Sequence, residues 1–432
     1  MPEGARMSRR RVAALSAVLA GTFALAACGA GPSRGAADWV VEHDTIGDTV
    51  VVRTVLARDP APASLVEELT IGMLEGPDEY VFGAIESLVV DAEGTIYVLD
   101  RQIPALRKYG PDGKYLGAIG RKGGGPGEYQ WPDGGLAILD DGRILLRDPG
   151  NARINVYSPD GEPLDSWRMP GGFFTSDPLY VDRDGYTYTP VIAARNDDGT
   201  WEAGLLRFGP DGAMLDTLRW PSLGIERAML VAVWEQGNSR SMSMQSVPFM
   251  PDERWVLDRE GRFVGGAGDR YAVYVFRKDA PVLRIERSWE PVRVHPEEKA
   301  DHERFITASL RGTDPGWRWN GPSIPDVKPA FRSVSVAADG RIWVHLYQPG
   351  ERIAEEPDED ANRPPGVPAP MRWREPTAFD VFEPDGRYLG TVRMPERVRA
   401  AFVRGDSIWA IARGEFDEQY VKRYRVEWDR AE

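Results

Sequence analysis

Residues 71–100, IGMLEGPDEYVFGAIESLVVDAEGTIYVLD, decide the fold because their pattern returns at residues 119–148, IGRKGGGPGEYQWPDGGLAILDDGRILLRD. The offset between the two copies is 48 residues. Each copy has a glycine-rich loop and then two short apolar runs joined by an acidic residue and a glycine. Each continues into an alternating run that ends at Tyr109 or Tyr157, followed by a Pro-Asp-Gly turn. The repeat unit is therefore four short antiparallel strands joined by tight turns.

The inner turn of this unit recurs along the whole chain and predicts an all-β fold, a six-bladed β-propeller of four-stranded antiparallel blades. One blade cannot bury both of its faces, so the units must stack around a channel. The inner turns are Glu93-Gly94, Asp141-Gly142, Asp184-Gly185, Glu260-Gly261, Asp339-Gly340 and Arg404-Gly405. A seventh, degenerate unit within Pro221–Ser246 is the alternative to this count.

The two ends of the repeat region predict how the ring closes. An orphan strand, Glu67–Gly72, precedes the first unit and matches its outer strand, Tyr115–Gly120. The last unit stops one strand short after Val426. We expect the orphan strand to complete the sixth blade, which would remove an open sheet edge.

Two insertions, at about 292–328 and 350–372, interrupt the ring. The first contains a helix over His295–Gly312, since Pro296 and two glutamates begin an amphipathic pattern. The second is rich in Glu, Asp and Pro, which is typical of a mobile, exposed loop.

These motifs resemble NHL-like six-bladed propellers, and in particular bacterial exported propeller lipoproteins. The resemblance is carried by Gly94–Asp100, Gly123–Tyr129 and Asp148–Ile154. It is strong over residues 71–219, looser to Ser288, and returns from Phe331. It implies a fold and no single activity.

The N-terminus has the layout of a cleavable secretory signal. A cluster of arginines is followed by an uncharged run, Val12–Ala27, which is too short to span a membrane. The following Leu25-Ala26-Ala27-Cys28 resembles the bacterial lipobox, which implies cleavage before Cys28 and acylation of that residue. We therefore predict a signal peptide over residues 1–27, a flexible tether over 28–47 and the propeller over 48–432.

The net charge disfavours one class of partner, and the cysteine content excludes a disulfide within the chain. The chain carries a net charge of −14, which disfavours binding to the phosphate backbone of a nucleic acid. Cys28 is the single cysteine, so no intramolecular disulfide can form. We expect a monomer.

Polar residues near the predicted strand starts and loops are the candidates for a channel-mouth site. They are Glu86, Asp133, Asp148, Asn151, Asp177, Asp252 and His345. Gluconolactonase-like propellers, which this fold resembles, hold calcium with such oxygen ligands. Their motifs do not align here residue by residue, so we assign no metal ligand, no catalytic residue and no cofactor, and keep calcium as the alternative.

The histidines and tryptophans of the first insertion offer a second candidate. NHL-type hydroxyglycine lyases use histidine-bound zinc, but here only His295 and His302 lie on one helical face, with no third ligand nearby. Trp317-Arg318-Trp319 is a candidate recognition loop, because aromatic and arginine side chains dominate binding hot spots. A plain core or lid role is the competing interpretation.

From these features we predict a lipid-anchored module of the cell envelope. It would bind or scaffold a protein, peptide or glycan, with the membrane as a second partner through its lipid. The chain would face the periplasm or the cell surface, and Gly29 after the cysteine favours the outer membrane. The alternative is a metal-dependent hydrolase or lactonase working in the channel.

Overall fold

The computed structural model describes residues 39–56, 61–102, 105–170, 177–195, 201–237, 239–277, 279–353 and 367–428. The chain divides into two units, residues 1–37 with 431–432 and residues 38–430, and every described residue belongs to the second. The predicted signal peptide and Cys28 therefore lie outside the described residues. No helix in the described ranges is long and apolar enough to cross a membrane.

Six antiparallel units of four strands form the blades of a β-propeller, five as separate sheets and one within a six-stranded sheet, which confirms the predicted fold and count. From the inner to the outer strand, the blades are Ile85–Val90, Ile96–Asp100, Ala105–Tyr109 and Tyr115–Ile119 (blade 1); Leu136–Ile138, Ile144–Asp148, Arg153–Tyr157 and Pro163–Arg168 (blade 2); Tyr180–Val181, Thr187–Arg195, Trp201–Phe208 and Met214–Arg219 (blade 3); Arg254–Leu257, Phe263–Gly266, Ala272–Phe276 and Val282–Arg287 (blade 4); Phe331–Val336, Ile342–Leu346, Ala378–Phe382 and Tyr388–Arg393 (blade 5); and Val398–Arg404, Ser407–Arg413, Gln419–Glu427 and Ser64–Ile71 (blade 6).

Blade 6 takes its outer strand from the start of the propeller, as predicted. Ser64–Ile71 pairs antiparallel with Gln419–Glu427, from Ser64 opposite Glu427 to Ile71 opposite Val421. The outer edge of blade 6 is thereby paired within the chain, so the first and last repeats share one sheet.

The hydrophobic core lies between blades, because each blade has two apolar faces. Leu99 and Tyr97 of blade 1 pack in one cluster with Ile144 and Leu146 of blade 2. Ile96 and Val98, which alternate with the two blade 1 residues on the same strand, face the other way and pack with blade 6. Stacking of neighbouring blades therefore supplies the burial that a single blade lacks.

The tether predicted over 28–47 is partly wrong, since a hairpin begins at Trp39. Its strands, Trp39–Ile46 and Thr49–Leu56, pair antiparallel with each other. The second strand pairs in parallel with Val282–Arg287, so the hairpin extends the outer edge of blade 4. The side chains of Arg53 and Glu286 reinforce this pairing, with Nε donating to Oε2 at 2.9 Å.

The first insertion and a hairpin between blades 3 and 4 pack together in one hydrophobic cluster. Helix α1, Pro296–Arg311, confirms the predicted helix. It packs against a hairpin of Met229–Gln236 and Ser239–Ser246, which occupies the stretch where a seventh blade was the alternative. Smaller elements are the 3-10 turns Asp78–Tyr80 and Pro149–Asn151 and the strand pairs Arg121–Lys122 with Glu128–Tyr129 and Glu351–Arg352 with Trp373–Arg374. Most of the second insertion, residues 354–366, lies outside the described residues.

Candidate functional site

The strand order collects the long connections on one face of the propeller. Each inner strand ends at a tight turn, and the second strand runs back from that turn. The start of the inner strand and the end of the second strand therefore lie at the face of the propeller opposite to the tight turns. We call this opposite face the loop face. It carries the connections 72–84, 120–135, 169–179, 220–253, 288–330 and 347–377, including both insertions.

The predicted channel-mouth residues occur at strand ends of the loop face, but two of them stabilise a loop. Asp148 is fully buried, and its carboxylate accepts hydrogen bonds from the backbone N–H groups of Gln130 and Trp131. Asn151 donates to Asp148 at 2.7 Å and to the Gly123 carbonyl at 2.9 Å. In the preceding repeat, Asp100 accepts from Gly83 and Ala84 in the same manner. We infer that this aspartate is a structural part of the repeat.

Asp133 forms a buried ion pair that connects two blades. Its oxygens accept from Nε of Arg147 at 2.9 and 3.0 Å, and Arg147 is fully buried. The same guanidinium donates to the Thr189 hydroxyl at 2.9 Å and to the backbone carbonyl of Asp177. Burial raises the pKa of the Asp177 carboxyl; Arg147 lowers it and Asp133 raises it. Sequence reasoning missed Arg147, which organises this corner of the face.

Glu86 and Asp252 are also engaged by arginines. Glu86 lies 3.2 Å from Nε of Arg101. Asp252 lies 3.1 Å from Arg227 and 2.7 Å from Arg254. These pairs are partly exposed, so each contributes little to stability.

His345 lies on the second strand of blade 5, half-buried against an aromatic ring. Its imidazole is 4.9 Å from the ring centre of Phe379. Burial lowers the pKa of His345 to about 4; the Arg332 guanidinium lowers it further, and Glu375 raises it. A histidine with this pKa is neutral at pH 7 and carries no charge to a ligand.

The predicted oxygen ligands do not form a metal centre in this arrangement. In the described ranges, no three His, Cys, Asp or Glu side chains are grouped so that they could hold a metal ion. The carboxylates of Asp133 and Asp148 accept hydrogen bonds from arginine or backbone N–H groups, and that of Asp252 is ion-paired with Arg254. Calcium would have to displace these partners, so the donor set does not fit a channel calcium.

The proposed recognition loop Trp317-Arg318-Trp319 is divided between core and surface. Trp317 is 4% exposed, packs against Leu310 and Leu230, and donates from Nε1 to the Val231 carbonyl at 2.9 Å. The exposed-anchor interpretation of Trp317 is wrong, because the indole fills the space between α1 and the hairpin. Arg318 is exposed and Trp319 half-buried.

The two histidines of α1 have structural roles. His295 caps the helix, accepting at Nδ1 from the Glu297 N–H at 3.3 Å. His302 packs edge-on against Phe249 at 4.9 Å, and burial lowers its pKa while Glu298 raises it.

A buried lysine ties this helix to blade 5. Nζ of Lys328 lies 2.6 Å from Glu298 and 3.1 Å from Glu375, and its side chain is fully buried. It also donates to the Gln348 carbonyl at 3.0 Å. Two hydrogen bonds and a second ion pair thus engage the ammonium, which favours a structural role. No local sequence pattern predicts this ion pair, whose partners are about 30 residues apart or more.

A channel of about 650 Å³ opens toward the tight-turn face and has an apolar wall. Every blade contributes an inner-strand side chain to it: Val89, Ile138, Val181, Leu257, Val336 and Phe402. Charged residues lie at its rim, where Arg404 donates to the carbonyls of Val90 and Asp91. Arg259 pairs there with Asp140. Both of these arginines are therefore already engaged within the protein.

Two aromatic side chains stand out from the loop face into solvent. Trp131 is 75% exposed and follows the glycine-rich loop between blades 1 and 2. Phe416 is 73% exposed, in the connection between the second and third strands of blade 6. The backbone N–H of Trp131 donates to Asp148, while its ring is left in solvent.

Comparison with known proteins agrees with this geometry. The family model described as 6-bladed beta-propeller (DUF5128) matches residues 59–206. No curated protein matches the chain. The chain is a six-bladed β-propeller, as the resemblance implied.

Solved structures with similar chains share little sequence with it. A member of the duf4221 family from Bacteroides vulgatus has 11% identity and a TM-score of 0.49, over 86% of this chain and 99% of that one. A Bacteroides fragilis protein whose name describes it as exported has 11% identity and a TM-score of 0.46, over 87% and 99%. Virginiamycin B lyase from Staphylococcus aureus has 11% identity and a TM-score of 0.37, over 84% and 99%. Likenesses at this level say nothing about activity.

Proposed function

We propose that this propeller is a lipid-anchored binding module of the cell envelope, held by Cys28 and binding a protein, peptide or glycan on its loop face. The observation that carries the proposal is the exposure of Trp131 and Phe416 on the face that also bears the insertions. Exposure of an aromatic ring to water is unfavourable because its apolar surface stays hydrated, and aromatic side chains are enriched where partners bind.

The state of the polar groups supports binding over hydrolysis. Of the carboxylates at the predicted channel mouth, Asp133 and Asp148 accept hydrogen bonds from an arginine or from backbone amides, and Glu86 and Asp252 form ion pairs with arginines. A general base or nucleophile would need a carboxylate free to reach a substrate. The geometry thus favours recognition by the surface over reaction in the channel.

Capture from envelope extracts tests the binding part of the proposal. The full chain, purified in detergent, is immobilised beside Trp131→Ala and Phe416→Ala variants. The control is Leu116→Ala, which removes a 54% exposed apolar side chain from an outer strand. We expect the two aromatic variants to lose a partner that the wild type and the control retain. Equal capture by all four proteins would contradict the assignment of the loop face.

Fractionation of cells tests the anchor separately. We expect the wild type in the membrane fraction and Cys28→Ala as a soluble or unprocessed chain, since stable anchoring needs two or more acyl chains. Unchanged membrane partitioning of Cys28→Ala would refute the lipid anchor and leave the binding face untouched.

A further inference from the structure

A cleft of about 570 Å³ lies between blades 5 and 6 and opens on the loop face. Its charged lining consists of Arg374, Arg393, Arg397, Arg399 and Arg413 with Glu351, Glu375 and Glu396. Arg397 is paired with Asp417, which lies outside this lining. We call this cleft the arginine cleft.

The acidic residues of the arginine cleft are already paired. Glu375 contacts Lys328 and Arg332 at 3.1 and 3.0 Å. Glu351 and Glu396 both pair with Arg374. None of these carboxylates neutralises the arginines of blade 6.

Arg399 and Arg413 are neighbours that the sheet forces together. Arg399 lies opposite Ile411 in the inner hairpin of blade 6, and Arg413 is two residues further along the same strand. Such diagonal neighbours share a face of the sheet and lie roughly 7–8 Å apart. In the described ranges, neither guanidinium has a hydrogen bond or ion pair. Two like charges held together without partners are unfavourable unless something else binds them.

The surroundings of Arg399 reinforce this point. Burial is the largest effect on this guanidinium and lowers its pKa; Glu86 raises it and Arg413 lowers it. Glu86 itself pairs with Arg101 at 3.2 Å. The guanidinium is nevertheless exposed to the water of the cleft, so a ligand can reach it.

A buried amide adds a neutral donor. Gln419 lines the arginine cleft and is 5% exposed. Its carbonyl oxygen accepts from the Ile85 N–H at 2.6 Å. Its amide nitrogen has no hydrogen-bond partner among the described residues and remains available as a donor.

We propose that the arginine cleft binds an oxyanion, a carboxylate or phosphate group of an acidic ligand, through Arg399 and Arg413 with the amide of Gln419. Guanidinium groups recognise both kinds of oxyanion by paired, charge-assisted hydrogen bonds. This assignment deepens the proposed function, since it rests on the loop face as the binding face and names the ligand class of one part of it.

Titration calorimetry at low ionic strength tests the assignment on the full chain in detergent. The probes are inorganic phosphate and the tricarboxylate tricarballylate, in separate arms that distinguish the two sources of an oxyanion. We expect saturable binding of at least one probe. Arg399→Gln and Arg413→Gln should each weaken it tenfold or more, because each removes a charge-assisted bond.

The control is Arg387→Gln, which removes an equal charge from the tight-turn face, where Arg387 pairs with Asp385. It should bind the probe as the wild type does. Because Arg399 and Arg413 have no partner to lose, their variants should also keep the thermal midpoint of the wild type. Absence of binding of both probes to the wild type would overturn the assignment, as would equal weakening by Arg387→Gln. Partner capture through Trp131 would still stand in that case, so the two proposals fail separately.

Discussion

Removal of the Asp133 carboxylate should destabilise the propeller strongly, although Asp133 was predicted as a binding residue. In Asp133→Ala the fully buried guanidinium of Arg147 loses its carboxylate, while Thr189 and the Asp177 carbonyl still accept from it. Breaking a buried pair by removal of one partner costs about 3–5 kcal/mol. For the roughly 360 residues that the structure describes, the unfolding entropy is about 0.75 kcal/mol/K, so the midpoint should fall by about 4–7 °C.

Differential scanning calorimetry measures this change. The matched control is Asp252→Ala, in which the partners Arg227 and Arg254 are 45% and 49% exposed. These exposed ion pairs contribute about 1 kcal/mol or less to the unfolding free energy. A third variant, Asp133→Leu with Arg147→Met, removes both charges and should recover most of the lost stability. An unchanged midpoint in Asp133→Ala, or a loss no larger than in the control, would refute the buried-pair argument.

Three further outcomes follow from the same contacts. Calcium or a chelator should leave the thermal midpoint unchanged, since the carboxylates of Asp133, Asp148 and Asp252 are engaged by arginines or backbone amides; a metal that bound only the folded state at 100 times its Kd would add about 2.7 kcal/mol and would contradict this expectation. Burial lowers the pKa of His345 from 6.5 to about 4. As the pH falls, the unfolded chain therefore binds a proton at this histidine before the folded chain does. The stabilisation from neutral His345 is complete above pH 6.5, and about 3 kcal/mol of the unfolding free energy is lost as the pH falls to 4. The unfolding free energy of His345→Gln should depend less steeply on pH in that window, and parallel curves for the two proteins would argue against the shift. Trp317→Ala should lower the unfolding free energy by about 3–5 kcal/mol through loss of core packing, whereas exposed Arg318→Ala should change it by less than about 0.5 kcal/mol; equal effects in denaturant titrations would restore the exposed-loop interpretation.

The repeat made most of the fold predictable. Its turns mark the end of each inner strand, and the match of Glu67–Gly72 to Tyr115–Gly120 predicts closure of the ring. The hairpin of Trp39–Leu56 was not predictable in this way. Its partner, Val282–Arg287, lies more than 200 residues away and pairs in parallel, which leaves no local pattern in the sequence.

The site was harder to predict because a polar residue at a strand end has two possible roles. Asp148 resembled a ligand group, yet the equivalent Asp100 in the preceding repeat binds backbone amides in the same way. Recurrence within the repeat was therefore the signal for a structural role. Arg399 and Arg413 indicate a binding role instead, since the hairpin between them places both side chains on one face of the sheet. That pairing depends on strand register, which the sequence does not fix without the structure.

Site-specific photocrosslinking in living cells tests the loop face as the binding face most directly. A photoreactive residue is placed at Gln130, which is exposed beside Trp131, and in a second protein at Leu164, which is 57% exposed on an outer strand near the tight-turn face. We predict a discrete crosslinked product from position 130 that Trp131→Ala abolishes, and none from position 164. The same product from both positions, or a product from position 164 alone, would contradict the account.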